Sequence, residues 1–173
     1  MATKSPPKKS ASAGKADAAD AFELLKADHR EVEKMHKQYE KLVKDEADAD
    51  QRGELAARIC MALTVHATVE EEVFYPPVRA AIDDDDIMDH ADVEHDSAKD
   101  LIAQIEAMDP DDSHYDAKVT VLCEYVAHHV KEEEEEMFPK ARKAKDLDFD
   151  ALGAEMTARK AELEAEYAEM EEA

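Results

Sequence analysis

The chain has 173 residues, with 45 Asp plus Glu against 22 Lys plus Arg, a formal net charge of −23. So acidic a chain is not built to seek nucleic acid or an anionic membrane surface. Aromatics at 5% and only 3 Gly speak against an all-β sandwich or barrel, and no apolar run approaches the ~20 residues of a bilayer span. What is left is an acidic helical bundle or an acidic disordered chain, and apolar periodicity separates the two.

In chain order, residues 1–20 (MATKSPPKKSASAGKADAAD) hold almost no large apolar side chain and no apolar stretch of the secretory type. They read as a disordered tail, and cytoplasm is the expected compartment. From Ala21 the apolar residues recur at helical spacing. Phe22, Leu25, Val32 and Tyr39 stripe a first helix, roughly Asp20–Lys44. Ile59, Leu63, Val73 and Phe74 stripe a second, roughly Asp50–Tyr75, which Pro76 and Pro77 are expected to end because proline lacks the N–H and clashes with the preceding turn.

Met88, Ala91, Ala98, Ile102 and Ile105 mark a third helix, roughly Asp86–Met108, closed by Asp109–Pro110. Val119, Leu122, Val126 and Met137 mark a fourth, roughly Ser113–Phe138, with Asp112 or Ser113 as its expected cap and Pro139 as a late kink or end. Leu152, Met156, Leu163 and Tyr167 stripe a fifth. Connections of these lengths suit antiparallel neighbours. The expected architecture is therefore all-α: an up-down-up-down four-helix bundle over residues 21–143, with an additional C-terminal helix over 148–172.

Each bundle helix interrupts its apolar stripe with polar residues. The first stripe runs Phe22, Leu25, His29, Val32, His36, and the second Ile59, Leu63, His66, Glu70, Val73. The third runs Met88, Ala91, His95, Ala98, Ile102, and the fourth Leu122, Val126, His129, Glu133, Met137. At about 100° per residue each list stays on one face, so four histidines and two glutamates point into the core. An unpartnered buried carboxylate is costly; a shared cation is the economical explanation. His36 lies two turns beyond His29, about 10 Å along the axis, too far for the same shell, and reads as a core or supporting residue. Glu33 replaces no apolar position. Tyr75 and Tyr125 read first as helix-end packing, with a place near the metal as the alternative, and the Glu132–Glu136 run as a wet face with Glu133 turned inward. Asp83–Asp86 reads as solvated loop and helix-start charge, without the spacing of a calcium loop.

An internal repeat supports the choice. The segment Cys60–Pro76 aligns without gaps on Cys123–Pro139 at an offset of 63: the Cys, the inward His and Glu, two further Glu, an aromatic and the Pro coincide. Asp28-His29 matches Glu94-His95 more weakly. Two helical hairpins related by a pseudo-two-fold axis suit a two-metal centre on that axis. Each Cys falls about 120° round the helix from its His, so Cys60 and Cys123 are expected as small buried helix residues, neither ligands nor a disulfide.

Nitrogen and oxygen donors without thiolate suit iron, manganese or zinc. If Glu70 and Glu133 both bridge, each metal receives two nitrogens and two oxygens and keeps room for small ligands such as dioxygen, peroxide or nitric oxide. The His-xxx-Glu pairs here differ from the Glu-x-x-His pairs of the usual carboxylate di-iron bundles.

These residues resemble the hemerythrin-like HHE cation-binding family over roughly Phe22–Arg142. The resemblance rests on Asp28-His29, HATVEEEVFYP at His66–Pro76, Glu94-His95 and HVKEEEEEMFP at His129–Pro139. It implies a four-helix bundle holding a non-haem di-iron centre, oxo- or hydroxo-bridged, on His29, His66, Glu70, His95, His129 and Glu133. Oxygen-carrying members have two histidines four apart on the third helix; here His95 has Ala91 and Lys99 at that spacing. The six-donor pattern is more similar to members linked to peroxide or nitric oxide handling, or to iron sensing.

Overall fold

The structure, a computed structural model, describes residues 19–172. The first eighteen residues of the expected N-terminal tail lie outside the described residues. Helix α1 spans Ala21–Lys44, α2 Ala49–Val69, α3 Tyr75–Ala81, α4 Asp85–Glu106, α5 Tyr115–Glu132, α6 Phe138–Arg142 and α7 Phe149–Glu172. Five-residue π-helical turns, Glu70–Phe74 and Glu133–Met137, join α2 to α3 and α5 to α6. The fold is a four-helix bundle in up-down-up-down order. Around the bundle α1 neighbours α2 and α5, α4 closes the ring against α2 and α5, and α7 lies along α1 and α2.

The helix starts follow from local chemistry. Asp20 and Glu23 form a capping box on α1: the Asp20 carboxylate accepts from the Glu23 amide at 2.9 Å and Glu23 accepts from the Asp20 amide at 3.1 Å. The Asp48 and Asp84 carboxylates cap α2 and α4 by accepting from the Gln51 and Ile87 amides, without the reciprocal bond of a box. The fourth bundle helix departs from expectation. It begins at Tyr115, and neither Asp112 nor Ser113 caps it; Asp112 instead accepts from the Asp109 amide at 3.0 Å, closing its own turn.

The prolines also act differently from the expectation. Pro76 and Pro77 do not end the second helix; they occupy the first turn of α3, just after the π-turn, and Pro139 does the same in α6. In each π-turn the amide five residues on reaches back, Tyr75 N–H to the Glu70 carbonyl and Phe138 N–H to the Glu133 carbonyl. The widened turn absorbs the missing donors and the ring clash that would break a regular helix.

The core falls into two apolar clusters, one at each end of the bundle. Phe22, Leu25, Phe74, Met88, Met137 and Phe138 fill one, and the apolar face of α7 packs on it through Leu152, Met156 and Leu163. Tyr39, Ile59, Cys60, Leu122 and Cys123 lie in the other. Both cysteines are free and buried. Two glycines permit close approaches: a Cβ on Gly153 would stand 2.6 Å from the Ala19 carbonyl oxygen, and one on Gly53 2.6 Å from the Pro110 ring. Among the described residues no helix is long and apolar enough to cross a membrane.

Candidate metal centre

Between the two apolar clusters lie six buried polar side chains: His29, His66, Glu70, His95, His129 and Glu133. All six sequence-derived candidates are thus brought together, two from each hairpin's paired helix and one from its partner. Glu70 and Glu133, the first residues of the two π-turns, are 0% and 1% exposed.

The donors divide into two groups. In the first, His29 Nε2 stands 3.3 Å from Glu133 Oε1, and His66 Nε2 3.1 Å from Glu70 Oε1. In the second, His95 Nε2 stands 3.1 Å from Glu70 Oε2, and His129 Nε2 3.6 Å from Glu133 Oε2. Each glutamate therefore offers one oxygen to each half, the disposition a bridging carboxylate requires.

Every imidazole is held from behind. His29 Nδ1 meets Glu134 at 2.8 Å, His66 Nδ1 meets Asp28 at 3.2 Å, His95 Nδ1 meets Glu71 at 2.8 Å and His129 Nδ1 meets Glu94 at 2.6 Å. An Nδ1–H donated to a carboxylate leaves the Nε2 lone pair facing inward, the tautomer a metal needs. Three of these acids carry their own cation: Glu134 takes Arg30 at 2.8 Å, Asp28 takes Lys160 at 2.6 Å and Glu71 takes Lys99 at 2.7 Å.

These four acids were missed by sequence reasoning, although the repeat contained them. Glu71 and Glu134 coincide at the offset of 63, and Asp28 and Glu94 precede matched histidines. Glu134 in particular belongs to the run read as a wet face; its side chain is only 19% exposed.

Tyr75 takes the alternative place, among the donors, and does not merely pack a helix end. Its O–H donates to Glu133 Oε2 at 2.8 Å, with His95 Nε2 at 3.1 Å, Glu70 Oε2 at 3.2 Å and His129 Nε2 at 3.4 Å around the same oxygen. A regular helix would turn Tyr75 about 140° away from Glu70; the π-turn brings it back. His36 stays outside the cluster, half-buried, as its spacing predicts. Tyr125 lines a small cavity beside the histidines without joining the hydrogen bonds of the centre.

Among the described residues five buried side-chain atoms find no hydrogen-bond partner; one is His36 Nε2, outside the cluster, and the other four are His29 Nε2, His66 Nε2, Glu70 Oε1 and Glu133 Oε1. They are the four atoms of the first half. Their 3.1 and 3.3 Å approaches lack hydrogen-bond alignment, and lone pair facing lone pair is repulsive. Leaving a buried polar group unpaired costs roughly 1–3 kcal/mol, so a cation accepted by all four relieves a large local penalty. The donor set fits that group. Protons compete for the same atoms. Burial works against charging His66, but Glu70 and Asp28 outweigh it and push its pKa well up. Burial likewise opposes ionising Glu70, and His66 with His95 overcomes it, holding the carboxyl well below its usual range. Burial and then Glu133 and Glu70 push the Tyr75 phenol well up, so it stays a neutral donor.

A bundle that gathers two pairs of histidines around two shared glutamates defines a class of protein: a helical cation-binding domain with room for two ions. The chain matches the model of the hemerythrin HHE cation binding domain over residues 20–141. The chain belongs to that family. A curated relative, named as a DNA nickase of Nostoc sp., is 30% identical over 120 residues, covering 69% of this chain. The aligned part is 33% of that relative, so the chain spans about a third of its length. In fold, the chain is similar to a hemerythrin HHE cation binding domain-containing protein of Mycobacterium kansasii, with a TM-score of 0.71 and 22% identity, covering 86% of this chain and 89% of the other.

Proposed function

We propose that this protein holds two iron ions on His29, His66, Glu70, His95, His129 and Glu133, and binds dioxygen or a related small oxidant there. The observation that carries the reading is the set of four unpaired buried donor atoms in the first half; the pseudo-symmetric second half presents four matching donors around the Tyr75 hydroxyl. Imidazole and carboxylate donors without thiolate favour iron, with manganese or zinc as alternatives. Bound iron would supply redox chemistry and open positions for small ligands. The chain's own residues do the rest: the glutamates offer an oxygen to each half, the orienting acids fix the imidazole tautomers, and the two apolar clusters exclude bulk water.

A second reading, turnover of peroxide or nitric oxide, is favoured by Tyr75. Its hydroxyl is a neutral hydrogen-bond donor 2.8 Å from Glu133 Oε2 inside the donor cluster, placed to hold a small oxidant in a fixed orientation while it reacts. Iron sensing or storage uses the same donors without turnover. A nucleic-acid substrate is disfavoured by the net charge of −23.

Metal analysis and an optical spectrum of the purified protein test the proposal. Two irons per chain, charge-transfer bands of an oxo-bridged pair and a melting temperature lowered by chelator are expected. No iron, manganese or zinc with chelator-independent melting would overturn it. Peroxide addition then separates the readings: a stable oxygenated species marks a carrier, and consumption without a stable adduct marks an enzyme.

A further inference from the structure

Beside the four histidines lies a cavity of about 40 Å³, on the side away from Tyr75, walled by Leu63, Ile102, Val126 and other apolar groups. A separate groove of about 340 Å³ opens to solvent between α1 and α5. The two spaces share four lining residues: His29, Val32, Val126 and Val130. His29 thus borders both spaces, and Val32, Val126 and Val130 form the apolar wall between them.

Within the wall Val126 stands out. Val32 is buried, 7% exposed. Val126 is partly exposed yet also packs on the inner apolar cluster, so it is reached from both sides. As a β-branched residue on a helix it strongly prefers one rotamer, so opening the wall at this point requires leaving that rotamer. His36 lines the groove too, and its Nε2 has no protein partner. The cleft under α7 also touches Val32 and Asp28, but the Lys160–Asp28 ion pair closes that side.

We propose that small uncharged ligands reach the centre through the α1/α5 groove, with Val126 as the gate, and that the cavity behind it limits them to a few atoms. This rests on the small-oxidant reading above and adds its route and its size limit. One water needs about 10–15 Å³ of such space, so the cavity holds a diatomic gas or hydrogen peroxide, whereas a bulky organic hydroperoxide exceeds it.

Two measurements test the route. The first needs no metal: methyl relaxation of the chelator-treated full chain under dioxygen pressure. Dioxygen is expected to broaden Leu63 and Ile102 more than the similarly buried Ile82 and Leu163 of the opposite cluster. Val126→Phe should abolish the difference and Val126→Ala keep it. Should Val126→Phe fail to fold, Val126→Leu takes its place. The second follows nitric oxide binding to the ferrous-loaded protein. A gate alters entry and exit alike, so Val126→Ala should raise both rate constants by about tenfold and Val126→Phe lower both, with Kd unchanged. Equal broadening in both clusters, or variants that shift Kd while leaving the rates in place, would overturn the proposal. Wild-type protein that takes up no iron would sink the functional reading, and the dioxygen experiment would still decide the route.

Discussion

The two halves of the centre are built from the same repeat and differ by one oxygen atom. Offset by 63, Tyr75 in the first repeat corresponds to Phe138 in the second. Tyr75 lies beside His95 with ring centroids 5.2 Å apart, and Phe138 lies parallel to His29 at 6.2 Å. In the His95/His129 half the Tyr75 hydroxyl lies within hydrogen-bond reach of all four donor atoms and gives its one hydrogen bond to Glu133 Oε2. In the His29/His66 half Phe138 has no hydroxyl to offer, and all four donor atoms are unpaired. One half thus carries a built-in hydrogen-bond donor, while the other depends wholly on a cation. Near-symmetric scaffolding lets a single side chain give two adjacent positions different chemistry.

The strongest way to break the comparison is to remove what the halves share. Glu70→Gln or Glu133→Gln is expected to reduce bound metal from two ions per chain to none, because each carboxylate serves both halves. His66→Ala should remove only the ion of its own half. Metal analysis after exhaustive dialysis separates the two outcomes, and a His129→Ala variant that kept two ions would contradict the ligand set.

Next in size are the orienting acids. Asp28→Asn and Glu94→Gln should each weaken one ion by about 10–100-fold, the usual cost of losing a carboxylate behind a metal-bound histidine. Chelator competition should show the loss in the His66 half for the first variant and in the His129 half for the second.

Exchanging the aromatic pair sharpens the contrast further. Tyr75→Phe makes the halves alike and should lower the stability of the chelator-treated protein by about 1–3 kcal/mol, since it leaves further buried acceptors unpaired. Phe138→Tyr should do the opposite, stabilising the chelator-treated chain by placing a hydroxyl in the first half. Urea unfolding with and without chelator reads both.

The smallest effect is expected at the cysteines, which occupy matched positions in the repeats. Burial pushes both thiols up to about 12, so the reactive thiolate is scarce at pH 8 and grows only as pH rises toward that value. Native protein should resist a thiol reagent until denaturant is added, and Cys60→Ala with Cys123→Ala should leave metal content unchanged. Rapid native labelling would refute the burial argument.

The bundle itself was legible because its stripes are long and regular: Phe22 to Tyr39 and Met88 to Ile105 each hold one face over several turns. The six central donors were legible because polar residues broke those stripes at matched depth. Tyr75 was not, because the projection that found Glu70 assumes 100° per residue, and the π-turn between them violates it. Prolines that read as stops were instead marks of that widened turn. The orienting acids stayed hidden for a different reason. They flank the donors on the helix surface, where the sequence already holds many solvated carboxylates, and only the fold shows which of them touch an imidazole.

The ring of acids behind the histidines also changes how the protein's acidity is read. Two buried glutamates and four orienting acids put six carboxylates at the centre, against three nearby basic groups, Arg30, Lys99 and Lys160. The uncompensated charge is then three negative units, one short of the four positive units on two divalent ions. A hydroxide between them would bring the ensemble to neutrality. Lys160 belongs to α7, beyond the residues 20–141 that define the family. Charge neutrality at the middle of the bundle is therefore completed from outside the domain's customary limits, and a chain trimmed to those limits would hold its ions in a more negative pocket.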